Sequence, residues 1–220
     1  MALNQLQVGP QEVGNGSTPT ASGGKQAETL VSQYHGRYYT QTYQGNVYSA
    51  GSKTTALSAT TIALDATSTP IVAVWNPANS LVNLSILYAE CLITVVANSA
   101  VNGGGFVWAT STNNAAISTG AAPLNRKSLL NAGSQAKAFN GGTALTGLTN
   151  NLVVQFAANF PGIYAAGAAT ALGVPSPGAP PEFIDGSIIV PPGGVLALLN
   201  TVSTTTISVQ STLVWEEVSL

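Results

Sequence analysis

The clearest regularity in the chain lies at Thr205 to Glu216. There Ile207, Val209, Leu213 and Trp215 fall on one face of an extended segment and Thr206, Ser208, Gln210 and Thr212 on the other. A period of two is what a half-solvated antiparallel strand requires, because successive side chains point to opposite faces. Seven further segments are short, apolar, β-rich and bounded by Gly, Pro, Asn or Ser: Ser58 to Leu64, Pro70 to Trp75, Leu81 to Ala97, Gly105 to Ala109, Leu152 to Ala157, Gly186 to Val190 and Val195 to Leu199. Such runs read as strands. No stretch of about ten residues shows the 3.6-residue helical period with caps, although the Ala-rich run Ile163 to Leu172 has room for one short helix. The pattern predicts an all-β chain of two packed antiparallel sheets from about residue 36 to 217. Trp75, Ile93, Val95, Ile207, Val209, Leu213 and Trp215 are its expected core.

Within Ile188 to Leu199, two apolar runs flank Pro191-Pro-Gly-Gly194. Pro192 presets φ for the first central position of a type II turn and Gly193 accepts the positive φ of the second, which predicts a hairpin here. Two long stretches between strands, Thr110 to Asn151 and Ala158 to Asp185, are rich in Gly, Ala, Asn, Ser and Pro. Loops of that length carry function or short strands of their own.

Residues 1 to 33 differ from the rest. They hold Pro10, Pro19 and five glycines, with no aromatic residue and only Val8, Val13 and Val31 as apolar β-branched residues. Too little apolar surface is available there to offset ordering entropy. The segment is expected to be an extended N-terminal arm that docks on a partner, with room for a helical turn near Lys25 to Ser32. The β-domain is expected to occupy residues 34 to 220, opening on Tyr34-His-Gly-Arg-Tyr-Tyr-Thr-Gln-Thr-Tyr-Gln-Gly-Asn-Val-Tyr48. In that stretch a strand would set Tyr39 and Tyr43 on one face and Tyr38 on the other.

Only 6% of the residues are charged, against about 25% in ordinary soluble proteins. No charged side chain occurs from Ala138 to Pro181, from Cys91 to Asn125, or from Ser187 to Trp215. Interface cores are depleted in charge, so much of this chain is expected to face other protein. Self-association through the 91 to 125 and 138 to 181 regions is the specific expectation. The formal net charge is −2 and the densest basic cluster is Arg126-Lys127, which leaves nothing to neutralise a run of phosphates, so nucleic acid is not an expected partner.

Cys91 is the single cysteine, so it forms no intramolecular disulfide and reads as a buried small hydrophobe. The opening Met-Ala-Leu-Asn-Gln-Leu has neither a basic start nor a long apolar stretch, so no secretory signal is expected and the chain is assigned to a cytoplasm at synthesis. Glu90 interrupts one apolar stretch, and Gln155, Asn159 and Pro161 another, within the roughly 20 residues a membrane span needs. No membrane partner is expected.

Catalytic chemistry finds little to work with. His35 is the only histidine and no Gly-x-Ser-x-Gly sequence occurs, so a Ser-His-Asp set has no visible nucleophile. Glycoside hydrolysis needs two carboxyls about 5 to 10 Å apart in a cleft, for which Asp65, Glu90, Glu182, Asp185, Glu216 and Glu217 are the candidates. The neighbours Glu216 and Glu217 point to opposite faces of a strand and read as strand-end charges. Gly103-Gly-Gly105 lacks the spacing and the following helix of a dinucleotide site, and Gly23-Gly-Lys25 lacks the Ser or Thr of a phosphate-binding loop. No enzyme, no catalytic residue, no metal and no cofactor are therefore expected. The tyrosines Tyr34, Tyr38, Tyr39, Tyr43 and Tyr48 have three readings: core packing, a subunit or partner interface, or a carbohydrate site. Tyr34, Arg37, Tyr38, Tyr39 and Tyr43 form the candidate interface set.

Taken together, the polar Gly/Ser/Thr-rich arm, the segment Arg37 to Tyr48, the almost uncharged β-domain and the segment Gly186-Ser-Ile-Ile-Val-Pro-Pro-Gly-Gly-Val-Leu196 resemble tailed-bacteriophage virion proteins. The nearest kind is the capsid decoration, or cement, protein with a jelly-roll domain, commonly a homotrimer. The resemblance implies a jelly-roll-like β-sandwich and a non-enzymatic structural role on the head exterior. It further implies assembly in the host cytoplasm, the major capsid protein as partner, and an arm that ties neighbouring capsid subunits together. The rival readings are a tail or fibre component that binds host-surface carbohydrate, and a glycoside-active enzyme on the same sandwich.

Overall fold

The computed structural model describes residues 36–51, 57–58, 67–96, 106–117, 120–140, 143–158, 181–200 and 207–220. The chain divides into two units, Met1–Thr40 and Gln41–Leu220, and the β-structure belongs to the second. The expected arm, the helical segments suggested at 25–32 and 163–172, and Tyr34, His35 and Asp65 lie outside the described residues.

A short helix, α1 (Tyr39–Gln44), precedes β1 (Val47–Gly51), β2 (Leu57–Ser58), β3 (Thr67–Ser68), β4 (Val72–Trp75), β5 (Val82–Val96), β6 (Phe106–Ser111) and β7 (Leu124–Asn125). Then follow β8 (Lys137–Asn140), β9 (Leu145–Thr146), β10 (Val153–Ala157), β11 (Glu182–Phe183), β12 (Ile189–Val190), β13 (Val195–Asn200) and β14 (Ile207–Ser219). One sheet runs in the order β11-β5-β14-β1-β7, with β12 beside β11 on the edge of β5 and β2 beside β1 on β14. The other runs β10-β6-β13-β4-β8, and β3 pairs with β9 as a separate ribbon. All pairings are antiparallel.

From β1 onward the main strands pass between the sheets in the sequence first, second (β4), first (β5), second (β6, β10), first (β11 and β12), second (β13), first (β14). That winding produces the four-strand orders β11-β5-β14-β1 and β10-β6-β13-β4, which is the doubled Greek key of a jelly roll. The expected all-β sandwich is the observed one.

The backbone of β5 explains an irregularity in its sequence. Pairing with β14 skips Leu87 and Thr94, so each is a β-bulge that advances β5 by one residue. Before the first bulge the inward residues are Val82, Leu84 and Ile86, and after it they are Ala89 and Cys91. Without that bulge, Tyr88 and Glu90 would turn into the interior in place of Ala89 and Cys91.

Among the described residues, two hydrophobic cores result. The first lies between the sheets and contains Tyr48, Ala50, Leu84, Ile86, Trp108, Leu196, Leu198, Val209, Leu213 and Trp215. The second covers the other face of the second sheet. There Ala73, Trp75, Ala109, Phe139, Val195, Ala197 and Leu199 meet Ile117, Leu145, Leu148 and Leu152 from the 112–152 region. Of the expected core, Trp75, Val209, Leu213 and Trp215 are buried, while the side chains of Ile93, Val95 and Ile207 lie outside the described set. The stretch Thr110 to Asn151, expected as a long interruption, contains β7, β8 and β9 and supplies the cover of this second core.

The hairpin expected at Ile188 to Leu199 is corrected. The turn itself forms as read: Gly194 N donates to Pro191 O at 2.8 Å and Gly193 has φ 79°. Its flanks do not pair with each other. β12 pairs with β5 in the first sheet, and β13 lies between β4 and β6 in the second. Two adjacent prolines provide no N–H to start a ladder at the turn, and the turn is instead anchored to the end of β4. Gly193 N donates to Asn76 O at 2.7 Å, and Asn76 N to Gly194 O at 2.9 Å.

Candidate functional site

The segment expected to open the domain as a strand forms α1 instead, and its C-terminal residues explain why. Gly45 has φ 90°; its N–H donates to Thr42 O at 3.0 Å, and Asn46 N donates to Gln41 O at 3.1 Å. These are the two bonds of a Schellman cap, and they close a helical turn that Tyr and Thr content alone disfavours. Tyr39 and Tyr43 are therefore helix neighbours at i and i+4, not partners on a strand face. They are 44% and 65% exposed, and Arg37 is exposed with Tyr38 half-buried. Tyr34 lies outside the described residues, and Tyr48 belongs to the core.

Beside α1, the turn after β7 is built by Asn125. Its Oδ1 accepts from Lys127 N at 3.0 Å and Ser128 N at 3.1 Å, and its Nδ2 donates to Gly45 O at 2.7 Å. Its backbone N–H donates to Leu130 O at 2.9 Å and its carbonyl accepts from Leu129 N at 2.9 Å. Leu129 is held at φ 60°, a left-handed conformation that is uncommon for a bulky residue. The turn presents Arg126 and Lys127, with Leu129 and Leu130 exposed next to them.

Both cations lie on aromatic rings. Lys127 Nζ lies 5.1 Å from the Tyr43 ring centroid. The Arg126 guanidinium lies 5.8 Å from that of Tyr88 and donates from Nη1 to the Tyr88 hydroxyl at 2.7 Å. Tyr88 in turn meets Phe183, its cross-strand partner on β11, with centroids 6.1 Å apart and planes at 52°. A strip of aromatic and cationic groups thus crosses the outer face of the first sheet. An open groove of about 480 Å³ adjoins it, lined among others by Ser49, Gly51, Arg126, Leu129, Asn131 and Asn140. Of the expected interface set, Tyr43 joins this surface through Lys127. Tyr88, Phe183 and the two leucines were missed by sequence reasoning, although Arg126-Lys-Ser-Leu-Leu130 was legible as the densest basic pair followed by two apolar residues.

The carboxylates weighed for catalysis are dispersed among separate tasks. Glu182 accepts from Trp108 Nε1 at 2.9 Å, and Asp185 has φ 50° in a turn closed by Ser187 N to Ile184 O. Glu217 accepts from Ser134 Oγ, Gln135 N and Ala136 N, so it fastens a loop where a solvated strand-end charge was expected. Glu216 faces the other way, and burial holds its carboxyl above the usual range. Burial also pushes the Cys91 thiol up to about 12. The Tyr48 hydroxyl is raised by burial and by Glu217, against an opposing hydrogen bond with Asn125. Among the described residues no three His, Cys, Asp or Glu side chains converge as metal ligands, and no helix is long and apolar enough to cross a membrane.

The described surface presents exposed leucines, aromatic faces and two ring-stacked cations on a sandwich otherwise poor in charge. No protein-family model, no curated protein and no solved structure matches the chain.

Proposed function

We propose that the chain is a non-enzymatic structural protein of a tailed-phage virion, a decoration protein on the head exterior whose partner is the major capsid protein. The observation that carries this reading is the doubled Greek-key winding of the sandwich, an architecture used by viral capsid domains as well as by lectins and cupins. The sequence resemblance supplies the choice among these. A surface that offers leucines and ring-stacked cations suits docking onto another protein, since aromatic residues and Arg are enriched at such contacts. In this reading residues 1 to 33 are the arm that reaches across neighbouring capsid subunits, folding on contact.

One observation favours the second reading, a tail or fibre component that binds host carbohydrate. The groove beside Arg126 mixes polar Asn131 and Asn140 with small residues such as Ser49, Gly51 and Ala121, and its volume falls within the range of small-molecule sites. Gradient-purified virions from cells that make the chain, together with a glycan array, separate the two. Recovery of the chain from intact virions with no array signal is the expected result. Strong retention on defined glycans favours the second reading, and a chain that stays in the soluble lysate contradicts both.

A further inference from the structure

The groove beside the 126–130 turn is floored by the outer face of the first sheet. Tyr48 and Ala50 point into the core, so Ser49 points outward on β1, and the Gly51 position with it. Thr212 on β14 lies opposite Gly51. The glycine leaves its hydroxyl uncovered, since a Cβ at that position would come within 3.3 Å of Thr212 Oγ1. Asn140, at the end of β8, and Asn131, just after the turn, complete the polar lining. Pro123, Leu124 and Leu129 supply the apolar part.

Hydrogen-bonding capacity in this groove is left open. Among the described residues, the side chains of Ser49, Thr212 and Asn131 have no hydrogen-bond partner. Asn140 commits Nδ2 to Gly51 O, which fixes the amide and leaves Oδ1 to accept. Hydroxyls and amides of this kind both donate and accept, as the hydroxyls of a saccharide do. Charge argues for a neutral ligand. Arg126 is the charged residue of the lining, and its Nη1 is tied to the Tyr88 hydroxyl. Glu90 stands opposite Thr212 on β5 and points outward, because Ala89 and Cys91 point inward. An anion would thus approach Glu90, and a cation Arg126. An extended peptide finds no strand edge to join. β7 already pairs with β1 at Tyr48 and Ser49, and Gly51 O already accepts from Asn140, so main-chain addition to β1 is blocked at these residues.

We infer, resting on the carbohydrate reading of this groove, that it selects a neutral saccharide. Thr212 Oγ1, Ser49 Oγ, Asn140 Oδ1 and the Asn131 amide hydrogen-bond its hydroxyls, and its C–H face lies on Leu124 and Leu129. No aromatic residue is among those that line the groove, so affinity for one or two sugar units is expected on the order of 1 mM.

Amide chemical shifts of the isotope-labelled chain, titrated to about 20 mM with lactose, maltose or diacetylchitobiose, read the site directly. At least one of these sugars should move the amides of Ser49, Gly51, Asn131 and Thr212. Thr212→Val and Asn131→Ala each remove one hydrogen-bonding group and should weaken that response about fivefold. Val153→Thr, at an exposed position of β10 in the second sheet, should leave it unchanged. Thermal melts establish that each variant is folded, and Asn131 is exposed, so its variant carries the test if Thr212→Val is unstable. Sialyllactose, an acidic sugar, and tetraglycine, a neutral peptide, should bind more weakly than the best neutral sugar. Equal or tighter binding of either overturns the inference, as do shifts that the folded variants retain in full. Sugar-induced shifts confined to residues outside the groove overturn the inference while the chain still binds carbohydrate. No response to any sugar overturns the inference and the carbohydrate reading together.

Discussion

Asn76 illustrates how much one buried amide organises here. Its Nδ2 donates to Val82 O at 2.8 Å and Val190 O at 3.0 Å, while its backbone holds both glycines of the Pro-Pro-Gly-Gly turn. The side chain thereby joins the start of β5 to the end of β12. Asn76→Ala removes both donors from a buried site, and the expected cost is about 2 kcal/mol in urea denaturation with an unchanged slope. Cys91 makes the opposite case, a group whose chemistry is suppressed by its surroundings. With burial pushing its thiol from the ordinary 9.0 up to about 12, a thiol reagent at pH 8 should leave the native chain unlabelled and label it once unfolded. The neutral thiol is the form the fold tolerates, so its contribution is fully present below pH 9. That contribution is lost as pH rises toward 12, because unfolding then releases a proton, and alkaline melting should be delayed in Cys91→Ala. A buried Cys91 was legible from its apolar neighbours. The tasks of Asn76 and Glu217 were not, because each depends on loops that meet only in the folded chain.

Local patterns fared best at the scale of elements where one physical rule dominates. β14 shows its alternation because one face meets the core and the other does not. β13 reads as an unbroken apolar run because the second sheet is buried on both faces, with Leu196 and Leu198 in one core and Val195, Ala197 and Leu199 in the other. The tyrosine segment was misread because β-propensity outweighed the Gly45-Asn46 cap in the reading, while in the chain the cap prevails. The Pro-Pro-Gly-Gly turn was legible in type but not in destination. Local φ preferences set a turn, whereas the choice of sheet depends on β4, β5 and β6, far away in sequence. Gly193→Ala tests the local part. Its φ of 79° leaves space for a Cβ, with the nearest atom 3.5 Å away, so the penalty is backbone strain of about 1 to 2 kcal/mol. Gly194→Ala should cost more, because its Cβ would come within 2.8 Å of Pro191 O. Chemical denaturation of the pair checks the order.

For the whole molecule, charge depletion has an intrachain cause where the sequence alone suggested an intermolecular one. Leu145, Leu148 and Leu152 fold over the second sheet of their own chain, so part of the uncharged stretch after Lys137 serves a second core. Exposed apolar side chains include Leu129 and Leu130 of the turn at 126–130 and Phe183 and Ile189 on β11 and β12, on a surface with few charges. Under the proposed virion reading, such a surface would dock onto the shell beneath. Electron microscopy of gradient-purified virions tests that reading most directly. Density that fits the sandwich, seated at near-full occupancy on the outside of the head shell, is the expected result. Particles whose shell lacks that density, or density confined to the tail tip, would contradict it.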